Sequence, residues 1–180
     1  MISALPSESG SVPKNKKTIE FNLEGPFQAW GAPSGWDYRA TGVPKPRGIA
    51  GMIGCCMGLR RGDPKLQQLE NLQYDIDTIE PGNIVIDFQT IRPLHGDEHL
   101  PTASGKKRAN DSDAVIVRKE YLTDAKFVVR VTGSEDIIDE IYEAMHDPYW
   151  VPYLGRACCP PSEPIIPKYI DEEEDKQCCS

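Results

Sequence analysis

Glycine recurs at positions 48, 51, 54 and 58 in a segment that is otherwise almost wholly apolar: Ile49, Ala50, Met52, Ile53, Cys55, Cys56 and Met57. Such a run predicts a buried helix. Each internal glycine costs that helix about 1 kcal/mol relative to alanine. Repeating the cost implies that something approaches the helix backbone closely, either the sheet beneath it or a ligand. Upstream, residues 31–46 hold three glycines and three prolines in sixteen residues, which is loop chemistry. A loop of that length inside a compact domain is more often functional than idle. Before the loop, residues 18–23 alternate polar and apolar, predicting a strand with Ile19, Phe21 and Leu23 on its buried face. Strand, loop and glycine helix organise everything that follows.

Charge singles out the same region. Between residues 39 and 61 stand Arg39, Lys45, Arg47, Arg60 and Arg61 and no Asp or Glu, in a chain of formal net charge −8. Lys45 and Arg47 flank the start of the glycine helix, where unpaired N–H groups and the helix dipole favour an anion. The alternative is a packing helix with solvated cations. An overall negative charge argues against a non-specific nucleic-acid binder. Much of that charge, however, lies in the run from Asp171 to Asp175, so a basic groove elsewhere is compatible with it.

At 180 residues the chain is expected to form one domain, large enough to bury a core without staples. The six cysteines fall in three adjacent pairs at 55–56, 158–159 and 178–179, with no C-x-x-C spacing. No metal site or cofactor is expected from them. No apolar run is long enough to span a membrane and no signal-peptide core is present, so a cytoplasmic protein is expected.

The remaining segments give an order. Residues 1–17 read as a flexible leader. A short helix starts at Asp63-Pro64, with proline at its first position. Strands are predicted over 72–77, 84–91, 114–122 and 126–131. Ser134 caps a helix whose stripe is Ile137, Ile138, Ile141, Tyr142 and Met145. A last strand or extended segment is predicted over 149–156. Prolines at 160, 161, 164 and 167 then interrupt regular structure, and residues 166–180 read as an acidic tail. The polar excursion at 93–114, with Lys106, Lys107 and Arg108, suggests the tip of a hairpin. The alternative is a surface loop with solvated charge. The sum is an α+β chain in β-α-β-β-α-β order. A ferredoxin-like, RNA-recognition-type sandwich over residues 18–165 with a projecting β-hairpin thumb is its compact solution. One face of such a sheet commonly binds RNA.

Four segments resemble one family. They are Leu23-Glu-Gly-Pro-Phe-Gln-Ala-Trp-Gly31, Arg39 with Thr41-Gly42 and residues 44–58, Arg118-Lys-Glu-Tyr-Leu-Thr-Asp-Ala-Lys-Phe127, and Pro152-Tyr-Leu-Gly-Arg-Ala-Cys-Cys-Pro160. In this order they resemble the Cas-five family in its type I-E, CasD form, a subunit of the CRISPR RNA-guided complex Cascade. The chain departs from the pattern at Lys45 and Arg47, where the family has Thr and Ser, and it reads as a short form lacking the usual C-terminal region. The resemblance implies a non-catalytic subunit that caps the crRNA 5′ end by binding its repeat-derived handle. Its partners would be the Cas-seven-type backbone and Cas-eight-type large subunits, with target DNA met indirectly. Two alternatives stand beside it: a truncated decoy that blocks assembly or interference, and a metal-independent repeat-RNA endoribonuclease. The last lacks support, because His95, His99 and His146 match no nuclease motif. Candidate RNA contacts are Gln28, Trp30, Arg39, Lys45 and Arg47 from the loop, and Lys106, Lys107 and Arg108 from the thumb. Arg118, Tyr153 and Arg156 complete the set. For Trp30 a core position beside the first strand is an equal alternative. Tyr153 and Arg156 either reach the handle or pack the last strand.

Overall fold

The computed structural model describes residues 15–31, 33–34, 37–38, 42–92, 104, 106 and 114–170. Its elements are β1 (Lys16–Gly25), β2 (Pro33–Ser34), β3 (Asp37–Tyr38), α1 (Pro46–Cys56), α2 (Pro64–Glu70), β4 (Gln73–Glu80), β5 (Asn83–Ile91), β6 (Val115–Thr123), β7 (Ala125–Ser134), α3 (Glu135–His146) and β8 (Lys168–Ile170). The fold is mixed α and β, with two four-stranded sheets ordered β4-β7-β1-β8 and β2-β3-β6-β5. The first sheet is antiparallel throughout.

Alternation decides which face of the first sheet is covered. Ile19, Phe21 and Leu23 on β1 stand opposite Val131, Val129 and Phe127 on β7, and all six are buried beneath α1 and α3. α1 contributes Ile49, Ala50, Met52, Ile53 and Cys56 to this core, and α3 contributes Ile138, Ile141 and Met145. Gly54 explains one of the repeated glycines. A Cβ there would lie 2.4 Å from Leu66 Cδ2, so its absence lets α2 press against α1. Asp63 caps α2 by accepting from the Lys65 N–H at 2.8 Å. Ser134 stands at the N-cap of α3 as expected, but its side chain makes no capping hydrogen bond.

The two sheets are joined at a double crossing. β4 leads into β5 through Gly82 (φ +68°), and β6 returns to β7 through Asp124 (φ +55°). A Cβ on Gly82 would sit 2.2 Å from the Thr123 carbonyl oxygen, so only glycine fits where these chains cross. Beyond the crossing, β5 and β6 pair over nine residues each, from Asn83 opposite Thr123 to Ile91 opposite Val115. They are the arms leading into the excursion predicted at 93–114. Of that excursion only residues 104, 106 and 114 lie within the described residues.

The C-terminal part differs from expectation. Residues 149–156 form no strand. They make turns held by Ala29 N–H to Leu154 O (3.0 Å) and Leu154 N–H to Cys159 O (2.8 Å). The last strand is instead Lys168–Ile170, assigned from sequence to the acidic tail. It pairs with residues 18–20 of β1. The physical reason is that β1 offers a free edge there, and a three-residue strand between Pro167 and an acidic run carries no periodic signal of its own.

β8 is clasped as well as paired. The Tyr169 ring stacks on Tyr142 of α3 at 4.2 Å, and its hydroxyl donates to Asp139 Oδ1 at 2.8 Å. Lys17 donates to the same carboxylate at 2.9 Å and pairs with Glu135 at 2.7 Å. The Lys17 hydrogen bond, followed by that of Tyr169, holds the Asp139 carboxyl below its ordinary pKa. A carboxylate depressed in this way contributes stability above its unfolded pKa and loses it as pH falls through the folded value. Below about pH 4, Asp139→Asn is therefore expected to lose stability less steeply than the parent. Urea midpoints measured from pH 5 down to 2.5 check this, and parallel slopes would refute it.

Candidate nucleic-acid interface

The uncovered face of the first sheet is the first place to look for an RNA surface. It presents Thr18, Glu20, Asn22 and Glu24 from β1, Lys126, Val128, Arg130 and Thr132 from β7, and Gln73, Asp75, Asp77 and Glu80 from β4. No aromatic side chain stands among them. The central cations are engaged, Arg130 with Glu20 (2.9 Å) and Asp77 (2.7 Å) and Lys126 with Glu24 (2.9 Å), while Lys16 and Lys168 are exposed on the same face. A face without stacking platforms, its central cations paired to carboxylates, suits RNA poorly.

The opposite side offers a better site. A cleft of about 520 Å3 runs between α1 and the turn at 153–155. Its lining includes Trp30, Gly31, Arg47, Gly48, Gly51, Cys55, Arg61, Glu70, Tyr153 and Gly155. Gly51 accounts for another of the repeated glycines. It is exposed, and a Cβ there would meet nothing within 4 Å. Packing against the protein therefore does not explain this glycine, whereas close approach of a ligand to the helix backbone would. Gly48 lets Trp30 lie against the helix, a Cβ there being 3.3 Å from the indole.

Two cations flank this floor. Arg47, with its side chain 87% exposed, reaches Glu70 at 3.6 Å. Arg61 is exposed on the loop between α1 and α2. Lys45 occupies the N-cap position of α1 with no side-chain capping bond, and it is exposed beside Arg47. On the far wall, Tyr153 is 40% exposed. The turn that carries it depends on Gly155 (φ +89°), where a Cβ would fall 2.0 Å from the Ala29 carbonyl oxygen.

The structure thus brings Arg47 and Tyr153 to one cleft, with Lys45 alongside. It takes two candidates away. Gln28 is fully buried. Its Nε2 donates to Ala125 O (2.7 Å) and Leu23 O (3.4 Å), and its Oε1 accepts from Trp30 Nε1 (2.7 Å). Trp30 is only 5% exposed. With every polar atom of the pair spent inside the protein, neither presents a stacking face or a free amide to a base. They are core residues, because the hydrophobic collapse that buries the indole needs a partner for its N–H.

The other candidates lie apart from the cleft. Arg118 is exposed on β6, its guanidinium 5.7 Å from the Phe88 ring centroid. Arg156 lies 4.7 Å over the Tyr121 ring and donates to Glu120 O at 3.1 Å. Lys106 is exposed in the excursion. Arg39, Lys107 and Arg108 fall outside the described residues. The candidate that sequence reasoning omitted is Arg61. Its signal was present, since Arg61 closes the acid-free stretch that begins at Arg39.

No group of three or more potential metal ligands occurs among the described residues. No helix there is long and apolar enough to cross a membrane.

Comparison with known proteins bears on the whole of this arrangement. A family model described as CRISPR-associated protein (Cas_Cas5) matches residues 18–177. The CRISPR system Cascade subunit CasD of Escherichia coli (strain K12) is 31% identical over 154 residues, covering 80% of this chain and 67% of that protein. A chain of a solved CRISPR RNA-guided surveillance complex superposes with a TM-score of 0.71 at 32% identity, over 82% of this chain and 61% of that one. This chain therefore spans about three fifths of the length of that solved relative. A second solved structure, a Cas protein, shares the fold with a TM-score of 0.60 at 23% identity. The family match covers both the buried Gln28–Trp30 corner and the cleft beside it, and the chain belongs to the Cas5 family of CRISPR-associated proteins.

Proposed function

We propose that this chain is a non-catalytic subunit of a CRISPR RNA-guided surveillance complex of the Cascade type. In this reading it holds the repeat-derived 5′ handle of the crRNA in the cleft between α1 and the turn at 153–155. One observation carries it: a helix face left open at Gly51, lined by Arg47 and Arg61 and faced by Tyr153. Single-stranded RNA needs close approach and cations for its phosphates and an aromatic surface for its bases, and these three coincide there. Lys45 adds charge at the helix N-terminus. Arg39, Lys106, Lys107 and Arg108 would extend the contact along the RNA.

The ferredoxin-like reading rests on the strand order β4-β7-β1-β8, with α1 and α3 on one face. The β5–β6 arms then form the base of the thumb. Their outer face exposes Ile84, Ile86, Phe88 and Ile116 around Arg118. An apolar sheet face of this kind suits a protein partner, and we assign it to the backbone subunit. Endoribonuclease chemistry has little support. His146 packs against the Tyr142 ring at a tilt of 38° and is hydrogen-bonded to the Tyr142 backbone oxygen at 2.9 Å, away from the cleft lining.

The test is to co-express the chain with the other Cascade subunits and a CRISPR array, purify through a tag on this chain, and sequence the accompanying RNA. Recovery of crRNA with one defined 5′ handle in an assembly of full size is expected. Partners recovered in a stalled assembly without mature crRNA would overturn the subunit reading in favour of a decoy that occupies its place.

A further inference from the structure

The turn that replaces the expected strand places two thiols side by side. Cys158 is exposed and Cys159 is buried, with their Sγ atoms 4.0 Å apart. The Tyr121 hydroxyl lies 3.6 Å from Cys158 Sγ, and the Arg156 guanidinium covers the Tyr121 ring at 4.7 Å. A thiolate at Cys158 would have a hydroxyl donor and a cation in its own cluster. A thiolate at Cys159 would be enclosed by the core. The directions agree: the Tyr121 hydrogen bond, with Arg156 helping, holds the Cys158 thiol below its ordinary pKa, while burial pushes Cys159 up to about 11. The pair at 55–56 is different. Cys55 donates to the carbonyls of Trp150 and Val151 at 3.7 Å, and burial raises both thiols.

We propose that Cys158 and Cys159 form an oxidation site for hydroperoxides, with Cys158 as the attacking thiol and Cys159 as the resolving one, closing reversibly to a vicinal disulfide. The Cys158 thiolate attacks the peroxide, the O–O bond breaks, and the leaving oxygen departs as an alcohol or as water after taking a proton. Cys158 becomes a sulfenic acid. The Cys159 thiol then attacks that sulfur, the S–S bond forms, the S–O bond breaks, and water leaves with the thiol proton. Two thiols are oxidised by two electrons and one hydroperoxide is reduced.

Geometry makes the product labile. Neighbouring Cα atoms lie about 3.8 Å apart, short of the roughly 4.4–6.8 Å that relaxed disulfides span. A strained disulfide is easily reduced, which suits a reversible switch rather than a structural staple. The effect is transmitted locally. The Cys159 carbonyl accepts from Leu154 N–H, and the Leu154 carbonyl accepts from Ala29 N–H beside the cleft. Contraction at 158–159 therefore pulls on the turn that carries Tyr153. This coupling to RNA rests on the proposed function; the thiol chemistry does not.

The experiment uses the full chain with Cys178→Ser and Cys179→Ser, which removes the tail pair. Brief treatment with hydrogen peroxide, alkylation and peptide mass analysis should show the 158–159 peptide lighter by two hydrogens, reversibly under a thiol reductant. In Cys159→Ser, a sulfenic acid should instead be trapped at Cys158 by dimedone. Tyr121→Phe should slow the reaction severalfold. Oxidation of Cys55 as fast as Cys158, or no disulfide, would overturn the site. Oxidised and reduced protein are then compared for binding to a handle RNA, with Arg47→Glu/Arg61→Glu as reference. At least a severalfold loss on oxidation is expected. Equal binding by both forms, where the reference variant loses binding, would overturn the coupling. Normal binding by the reference variant would overturn the RNA reading, and the mass shift alone would then decide the disulfide.

Discussion

Charge reversal of Arg47 and Arg61 together is expected to weaken binding of a handle RNA about 100-fold at physiological salt, with the fold intact. Both side chains are exposed and line the cleft, so replacing them removes no core contact. Arg47 also offsets Glu70 at 3.6 Å, and glutamate at position 47 would place two carboxylates together at the cleft edge. Loss of two phosphate contacts to a single strand should lower the slope of log affinity against log salt by about 1.4. Anisotropy titrations at several salt concentrations measure both quantities, and circular dichroism confirms the fold. Unchanged affinity and slope would place the RNA elsewhere.

Gln28→Leu is expected to destabilise the protein by about 3 kcal/mol, with a lower urea midpoint and an unchanged dependence on denaturant. The change is close to isosteric, so the effect comes from polar groups rather than from a cavity. The Gln28 amide joins three parts of the fold: the end of β1 through Leu23 O, the hairpin return through Ala125 O, and the cleft wall through Trp30 Nε1. Its backbone also pairs with Leu122, at 2.8 Å in both directions. Leucine would leave the indole N–H and at least the Ala125 carbonyl without this partner in a region closed to water. Each such group costs about 1–3 kcal/mol. A midpoint equal to that of the parent would mean that water or a rearranged indole satisfies the site. Exposed substitutions at Arg47 or Arg61 should have little effect in the same assay, which separates the structural residue from the binding ones.

Much of the fold was legible in the residues. Alternation located β1 and β4, apolar runs located β5–β7, proline at the first position located α2, and a 3.6-residue stripe located α3, because these signals are local. The acid-free stretch from Arg39 to Arg61 pointed to the side of the molecule where the cleft lies, and four motifs identified the family. Three things were decided by tertiary structure. The first is which way the Gln28–Trp30 pair faces. The same two side chains serve a base or a core equally well in sequence, and only the position of Leu23, Ala125 and Gly48 around them turns them inward. The second is the last strand, which moved from residues 149–156 to Lys168–Ile170 because strand pairing depends on the free edge of β1, a partner about 150 positions away in the chain. The third is the unequal fate of the glycines. Gly54 admits Leu66 while Gly51 faces open space. Sequence by itself determined the long elements and the local charge. Long-range packing decided which backbone and which side chains remain at the surface, since burial is a property of what surrounds a residue and not of the residue alone.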